Sequence, residues 1–434
     1  MHFLKRTPAA PALAVLGLLM TATAAPADAA AADAAAPASA ARAAPPAVSC
    51  AWPAVVRPGR LNFAFPETNA TYWMMPYRLA AGDRLTAQGT YPAARFTSLT
   101  TYDAKGAPVD SLADRQMTPD PGSRNPFAQE QAGTDTARHR YTVTVKPGVT
   151  AGSGGNTLAA GAGGADSGTG FLVLRIYVPD NEADPTGGVP LPALSVRHRN
   201  GDTSSVKTCP GAGSAKGAAG PLAQFLRQRV QEDRAAGGFE GCGNSTAKAP
   251  GFALPKKASG YFPNPYNKYL CTPVAHEAGR IVVIRGKAPT FPHTSDGQSV
   301  LTRTQVRYWS LCQNQWRLPY PATSCAGDFQ TAVDKDGRYT IVVSTPQDRP
   351  AGATTANRVT WIPWGPTDVT GILLFRTMLP ADGFHQAVQD VGKNQNPATV
   401  MGDYYPDISY CAKDRFAEGG AAACATSAQA GRSG

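Results

Sequence analysis

Three aspartates and one arginine in the first half of the chain are candidates for catalysis: Asp103, Asp114, Asp120 and Arg124. Glycoside hydrolysis uses two carboxyl groups that face each other across about 5–10 Å. Asp120 and Arg124 lie in a proline-rich segment that excludes regular structure. The four side chains would have to converge at one mouth of the fold. That arrangement would make the protein a secreted hydrolase or lyase acting on a polysaccharide or another polymer.

Four residues of the second half suit binding better than catalysis: Trp316, Trp364, His293 and Arg307. An exposed indole ring stacks on sugar rings and apolar chains, and binding residues concentrate on loops carried by a rigid scaffold. Because Trp364 lies between two prolines, we expect it to be partly exposed. The four residues would line one groove. The alternative is that the tryptophans fill a core, which is the commoner place for them.

The sequence contains no motif for metal or cofactor chemistry. It has neither a Gly-x-Ser-x-Gly nucleophile motif nor a His-Glu-x-x-His metal motif, and its histidines are dispersed. A glycine-rich segment, residues 152–170, leads into an apolar run with strand character, whereas a phosphate-binding loop must lead into a helix. We therefore expect no metal ion and no cofactor.

An internal repeat predicts the elements that position these residues. Three segments of the first half recur in the same order in the second half, and each is rich in the β-favouring residues typical of strands. The equivalent positions are Arg95 with Arg307, Arg140 with Arg338, and Arg175 with Arg376. The high content of glycine and proline, 44 and 38 residues, fits many strands joined by turns. The predicted fold is all-β: two tandem, internally duplicated, jelly-roll-like β-sandwiches with one linker helix.

The predicted domain boundaries follow from composition. Lys5 and Arg6 precede an apolar run that ends in small residues, which is typical of a secretory signal. The segment after it is almost entirely alanine and proline and cannot bury enough side chain to order itself. The predicted divisions are a signal peptide (1–29), a disordered tether (30–49), the first sandwich (50–212), a linker (213–260) with a helix at 221–234, the second sandwich (261–389), and a disulfide-stapled, partly disordered tail (390–434).

Eight cysteines, an even number in a chain predicted to be exported, indicate four disulfides. Their order along the duplicated layout favours local pairing among the 105 formal connectivities. The predicted bridges are Cys50–Cys209, Cys242–Cys271, Cys312–Cys325 and Cys411–Cys424. The compartment would be extracellular or periplasmic.

The charged residues bear on two questions: the partner of the protein and the role of two arginines in apolar strands. The net charge of +10 is spread over short basic clusters, which does not resemble a nucleic-acid-binding surface and is compatible with weak attraction to an anionic envelope polymer. Arg175 and Arg376 lie inside otherwise apolar strands, where each must be paired or solvated. We expect a structural hydrogen bond to a neighbouring loop, with Asp103 a candidate partner of Arg175. A ligand-reading arginine is the alternative.

The second half also carries an ordered set of short motifs between residues 308 and 376. They are Tyr308-Trp309-Ser310, Asp336-Gly337-Arg338-Tyr339-Thr340-Ile341, Gln347-Asp348-Arg349-Pro350, Trp361-Ile362-Pro363 with Gly365-Pro366, and Leu373-Leu374-Phe375-Arg376. This set resembles the C-terminal module of a bacterial family of exported two-module proteins of unknown function. The resemblance implies jelly-roll sandwiches and brings no established catalytic residues.

These observations favour a non-catalytic exported protein that binds a glycan or another polymer of the cell envelope. A hydrolase or lyase is the alternative, and whether the chain is an enzyme stays open. No nucleic-acid partner and no membrane span after signal removal are expected.

Overall fold

The computed structural model describes residues 45–129, 139–213, 221–235, 240–257 and 262–425. The predicted signal peptide, most of the tether and the end of the tail lie outside these ranges. The residues in these ranges belong to one compact unit. Among the described residues, no helix is long and apolar enough to cross a membrane.

The first half forms a sandwich of two five-stranded sheets. Its strands are β1 (Ala54–Val56), β2 (Ala70–Leu79), β3 (Arg84–Thr90), β4 (Ala94–Asp103), β5 (Pro108–Ala113), β6 (Arg140–Lys146), β7 (Thr157–Ala159), β8 (Gly168–Pro179), β9 (Ala193–Arg197) and β10 (Thr203–Val206). The sheet orders are β1-β2-β8-β4-β5 and β10-β9-β3-β6-β7. Apolar side chains of both sheets, such as Trp73, Leu99 and Val143, fill the space between them.

The linker helix α1 spans Pro221–Ala235, close to the predicted bounds. Proline suits its first turn because the N–H that proline lacks would have no partner there. Leu222, Leu226 and Val230 recur at helical spacing and pack on an apolar cluster that includes Phe63 of the first half and Tyr320 of the second. The helix therefore braces both halves.

The second half forms a sandwich of two four-stranded sheets. Its strands are β11 (Asn267–Val274), β12 (Arg280–Lys287), β13 (Val306–Gln315), β14 (Ala322–Gly327), β15 (Arg338–Ser344), β16 (Val359–Pro363), β17 (Gly371–Pro380) and β18 (Asp407–Ala412). The sheet orders are β11-β17-β13-β14 and β16-β15-β12-β18. The all-β, two-sandwich fold class is therefore as predicted.

The duplication is visible in strand order and in register. Strands β2 to β9 and β11 to β18 pair in the same pattern, including one parallel pair in each half, β6–β7 and β15–β16. Ser98 lies opposite Arg175 just as Ser310 lies opposite Arg376. The arginine pairs proposed from the sequence thus occupy equivalent strands.

A shared packing device supports the same conclusion. Gly89 of β3 faces Tyr141, and Gly286 of β12 faces Tyr339. A Cβ atom at either glycine would lie 2.6 Å from an atom of the tyrosine ring or its hydroxyl. Each sandwich therefore needs glycine at this strand position so that a buried tyrosine can lie across the backbone.

The tail needs a correction. The predicted boundary at residue 389 cuts the second sandwich, because β18 in the tail pairs with β12 over six residue pairs. Two further helices, α2 (Pro397–Met401) and α3 (Lys413–Ala423), flank this strand. The sequence reasoning missed β18 because it has only six residues, too few for their alternation of polar and apolar side chains to stand out.

The four disulfides join the predicted cysteines. Cys50–Cys209, Cys242–Cys271, Cys312–Cys325 and Cys411–Cys424 are bonded, and no free cysteine remains. Disulfides of this number are typical of an oxidising, extracytoplasmic compartment.

Candidate functional site: a pocket between the two sandwiches

The site lies where the outer faces of two central sheets meet. Strands β8 and β17 are buried along almost their whole length, on both faces, so neither shows the alternation of a half-exposed strand. Phe96 and Tyr177 of the first half pack with Tyr308 and Met378 of the second. The rings of Tyr177 and Tyr308 have centroids 5.8 Å apart. The sandwiches are therefore joined by a side-chain interface between sheets.

A cavity of about 120 Å³ lies at this interface. Its wall is largely apolar, with contributions from Val56, Phe63, Phe65, Met74, Val173, Phe262 and Leu374. The polar groups on the wall are Tyr72, Tyr177, Tyr269, Asn264, Arg175 and Arg376. A concave, mostly apolar site with a few convergent polar groups has the usual composition of a small-molecule site.

The two arginines occupy equivalent positions. Tyr72 of β2 lies opposite Arg175, and Tyr269 of β11 lies opposite Arg376. Each guanidinium lies over its tyrosine, at 5.6 Å and 5.3 Å from the ring centroid. Both arginines are almost completely buried, with 2% and 1% of their surface exposed. The cavity is therefore lined by two copies of one structural unit.

Arg376 has a carboxylate partner. Its Nη1 atom lies 3.1 Å from a carboxylate oxygen of Glu67, which belongs to the first half of the chain. The hydroxyl of Ser310 donates to the same oxygen at 2.6 Å. Glu67 and Arg376 are both buried, so the pair replaces the water that each charge would otherwise need. The Glu67 carboxylate in turn raises the pKa of Arg376, against the lowering effect of burial.

Arg175 has no such partner in the described part of the chain. Its Nη2 atom donates to the Tyr102 hydroxyl at 2.6 Å and to the Phe262 carbonyl at 2.9 Å. Its Nε and Nη1 atoms are buried and make no hydrogen bond there. The expected pairing with Asp103 is wrong, because Asp103 closes the turn after β4 by accepting from the backbone N–H groups of Lys105 and Ala107.

Two other buried arginines lock the sandwiches together by a crossed arrangement. Arg95 pairs with Asp328 of the second half, and Arg307 lies 3.4 Å from Asp114 of the first. Each aspartate also accepts a hydrogen bond from a strand of its own half: Asp114 from the backbone of β4, and Asp328 from the backbone of β13. Such reciprocal contacts are the signature of an isologous interface between two copies. Arg307 and Asp114 therefore have a structural role.

The insertion before Arg307 takes part in this lock. This insertion, residues 288–305, is longer than the equivalent connection of the first half, residues 91–93, and its Phe291 lies against the Arg95 guanidinium, 5.0 Å from Cζ to the ring centroid. Thr294 of the same segment and Asp180 of the first half line the same cavity. The insertion therefore covers an interdomain ion pair.

The pKa of Asp328 gives a testable pH dependence. Burial raises this pKa to about 6, and Arg95 offsets only part of the shift. Between the unfolded pKa of 3.8 and about 6, the folded protein holds a proton that the unfolded chain has released. The associated stabilisation is present below the unfolded pKa and is lost as the pH rises through about 6.

We therefore expect the free energy of unfolding of the wild type, minus that of Asp328→Asn, to decrease as the pH is raised from about 4 to about 7. Denaturant titrations of both proteins at several pH values measure this difference. A difference that stays constant, or that grows with pH, contradicts the assignment. Asp336→Asn is the control, because Asp336 and its partner Lys335 are both exposed. Its free energy of unfolding should depend on pH in the same way as that of the wild type.

The predicted aromatic groove does not form. Trp364, expected to be partly exposed, is 2% exposed and lies in the core of the second sandwich. The reason is that its backbone N–H continues the pairing of β15 by donating to the Ser344 carbonyl, which turns the ring inward. His293 is exposed on the insertion, and Trp316 is partly buried beside Phe65 and the Cys242–Cys271 bridge. The four proposed residues are thus spread over four environments.

The predicted acidic site does not form either. Asp114 accepts from the N–H of Thr97, whereas Asp103 lies six residues further along β4, about 20 Å away at 3.3 Å per residue. Asp120 accepts from the Thr142 hydroxyl, and Arg124 is exposed. The four groups do not converge on one pocket.

Metal-ligating groups come together at one place in the described ranges, formed by Glu67, Cys312 and Cys325. Both sulfur atoms belong to a disulfide, so they are not thiolate ligands. Glu67 is already engaged by Arg376.

Two similar segments of the sequence, one in each half, mark the position of the pocket. Phe65-Pro66-Glu67 precedes β2, and Phe262-Pro263-Asn264 precedes β11, each by the same number of residues. Phe65 and Phe262 both have positive φ, 58° and 53°. Phe65 and Pro66 of the first segment line the cavity, as do Phe262, Pro263 and Asn264 of the second, whereas Glu67 is not among the lining residues.

Similarity to known proteins is found among solved structures. No protein-family model matches the sequence, and no curated protein matches it. Among solved structures, the chain is similar to an uncharacterised protein from Burkholderia cenocepacia, with a TM-score of 0.47 and 12% identity over 84% of this chain and 82% of that one. It is also similar to a structural-genomics target from Vibrio parahaemolyticus, with a TM-score of 0.39 and 13% identity over 81% of this chain and 91% of that one.

Proposed function

We propose that the chain is an exported, non-catalytic binding protein that holds a small ligand with an apolar body in the pocket between its sandwiches. The observation that carries this proposal is the cavity itself, whose wall joins apolar side chains to tyrosines and two buried arginines. No aspartate or glutamate is among the described wall residues, so the paired carboxylates that hydrolysis of a glycan requires are not at hand.

The cavity size favours a small molecule over a polymer. An engineered apolar cavity of about 150 Å³ accommodates benzene, so about 120 Å³ has room for roughly five non-hydrogen atoms of a ligand. The envelope polymer expected from the sequence depended on an exposed aromatic row, and the tryptophan chosen for it is in a core. A compact ligand, or the end of a longer one, fits the pocket better.

The proposal is tested by thermal unfolding with six-carbon probes of different polarity: sodium hexanoate, hexanamide and hexanol. A ligand that binds only the folded protein stabilises it by about 2.7 kcal/mol at 100 times its Kd, so at least one probe should raise the melting temperature in a concentration-dependent way. Val173→Trp, which fills the cavity, should abolish that rise. Thr203→Trp on the exposed edge strand β10 is the matched control and should retain it.

The binding function is wrong if none of the probes shifts the melting temperature, or if Val173→Trp and Thr203→Trp respond alike. Release of product from a polysaccharide by the purified protein would instead support the hydrolase alternative.

A further inference from the structure

The two halves of the pocket differ at one chemically decisive position. Glu67 lies three residues before β2, and Asn264 lies three residues before β11. The backbone carbonyl of each residue closes an equivalent turn. The Glu67 carbonyl accepts a hydrogen bond from the N–H of Ala70, and the Asn264 carbonyl accepts one from the N–H of Asn267. The two residues are therefore equivalents, and one is a carboxylate where the other is a neutral amide.

In one half, the carboxylate binds a serine hydroxyl and one nitrogen of the buried arginine. Glu67 accepts from the Ser310 hydroxyl and from Arg376 Nη1, at 2.6 Å and 3.1 Å. This serine and this arginine lie opposite each other on β13 and β17. The chain thus shows how its own strands bind a carboxylate at this interface.

In the other half, the donors are kept but the carboxylate is missing. Ser98 and Arg175 lie opposite each other on β4 and β8 at the equivalent register. The Ser98 hydroxyl, like Arg175 Nε and Nη1, is buried without a hydrogen-bond partner in the described part of the chain. Asn264, the residue at the carboxylate position, contacts Tyr177 at 3.5 Å. Buried donors are nearly always satisfied, and a buried charge without a counter-charge is costly.

We infer that the ligand carries a carboxylate, which supplies to Arg175 the negative charge that Glu67 supplies to Arg376. The inference rests on the proposed function and specifies its ligand as a small carboxylate with an apolar tail. The apolar tail lies against Val173, Met74 and Phe262 on the cavity wall. The carboxylate and guanidinium form charge-assisted hydrogen bonds, which are stronger inside a cavity of low polarity than in water.

The experiment is isothermal titration calorimetry of the exported chain with sodium hexanoate, with hexanamide as its neutral counterpart. Hexanoate should bind about 10- to 100-fold more tightly than hexanamide, the range expected for a charged hydrogen-bond partner. Arg175→Met should remove this preference. Because the described contacts of Arg175 are with Tyr102 and Phe262 and with no carboxylate, the substitution leaves no buried charge uncompensated, and the variant should remain testable.

The decisive variant is Asn264→Glu, which places the equivalent of Glu67 beside Arg175. It should fold, because Glu67 already does so in the same surroundings, and it should lose hexanoate binding while its unliganded melting temperature is retained or raised. Asn264→Gln is the matched variant of the same length without charge, and it should bind hexanoate more tightly than Asn264→Glu does.

The outcomes separate the two claims. Equal binding of hexanoate and hexanamide, both lost in Val173→Trp, would support the pocket and overturn the carboxylate. The carboxylate is also overturned if Asn264→Glu binds hexanoate like the wild type, or if sodium chloride at equal concentration displaces hexanoate. Failure of every probe to bind overturns the binding function itself.

Discussion

Replacing Glu67 by glutamine is expected to lower the free energy of unfolding by about 3–5 kcal/mol, the range for removing one partner of a buried ion pair. Glu67 is fully buried, and Arg376 is 1% exposed. The substitution keeps the side-chain shape and the hydrogen bond from Ser310, but it leaves the guanidinium without a counter-charge. Denaturant unfolding at neutral pH measures the loss.

Two control variants isolate the cause. Adding Arg376→Met to Glu67→Gln should recover much of the stability, because the uncompensated charge is then gone. Asp403→Asn breaks the more exposed pair with Arg338 and should change stability by no more than about 1 kcal/mol. The interpretation fails if the free energy of unfolding of Glu67→Gln lies within about 1 kcal/mol of that of the wild type.

Removing the Cys50–Cys209 disulfide by alanine at both positions is expected to have a still larger effect. The bridge closes a loop of 159 residues and ties the two ends of the first sandwich together. Loop entropy in the unfolded chain assigns about 5 kcal/mol to a loop of that length. Fluorescence of Trp52 and Trp73, both in the first sandwich, follows the loss of stability as denaturant is added.

The matched comparison is the Cys411–Cys424 bridge, which closes a loop of only 13 residues. Its removal should lower stability by about 3 kcal/mol on the same entropic reasoning. If the short bridge proves as important as the long one, loop entropy is not the main source of stabilisation, and local packing around the sulfur atoms has to account for it.

The duplicated architecture explains how a pocket of this kind arises. Contacts between two identical copies come in reciprocal pairs, and the crossed Arg95–Asp328 and Arg307–Asp114 contacts keep that form. Once both copies lie in one chain, each can change by itself. The difference between Glu67 and its equivalent Asn264 is such a change. It gives Arg376 a carboxylate partner and leaves two nitrogens of Arg175 without a hydrogen bond in the described part of the chain.

Several features were predictable because they are local or ordered along the chain. The Arg95 and Arg307 strands share a basic residue followed by serine and leucine, and this similarity was sufficient to align them. Disulfide pairing followed from cysteine order: Cys50 and Cys209 bracket the first sandwich, and Cys312 and Cys325 lie opposite each other on the neighbouring strands β13 and β14. Strand β18 was missed because an alternation over only six residues is too short to be distinguished from a loop.

The sequence by itself determined the all-β class, the duplication, the linker helix and the four bridges, because each depends on composition, periodicity or order. Only the tertiary structure decided which surfaces face each other. A strand pattern shows that two faces are apolar, but it does not show that the outer face of β8 is covered by another sandwich. Arg376 pairs with Glu67, which is far from it in the sequence. The partner that we infer for Arg175 is a ligand, which is not part of the chain at all. Charge pairing over such separations depends on how whole sheets pack, so the site became visible only when both sheets were in place.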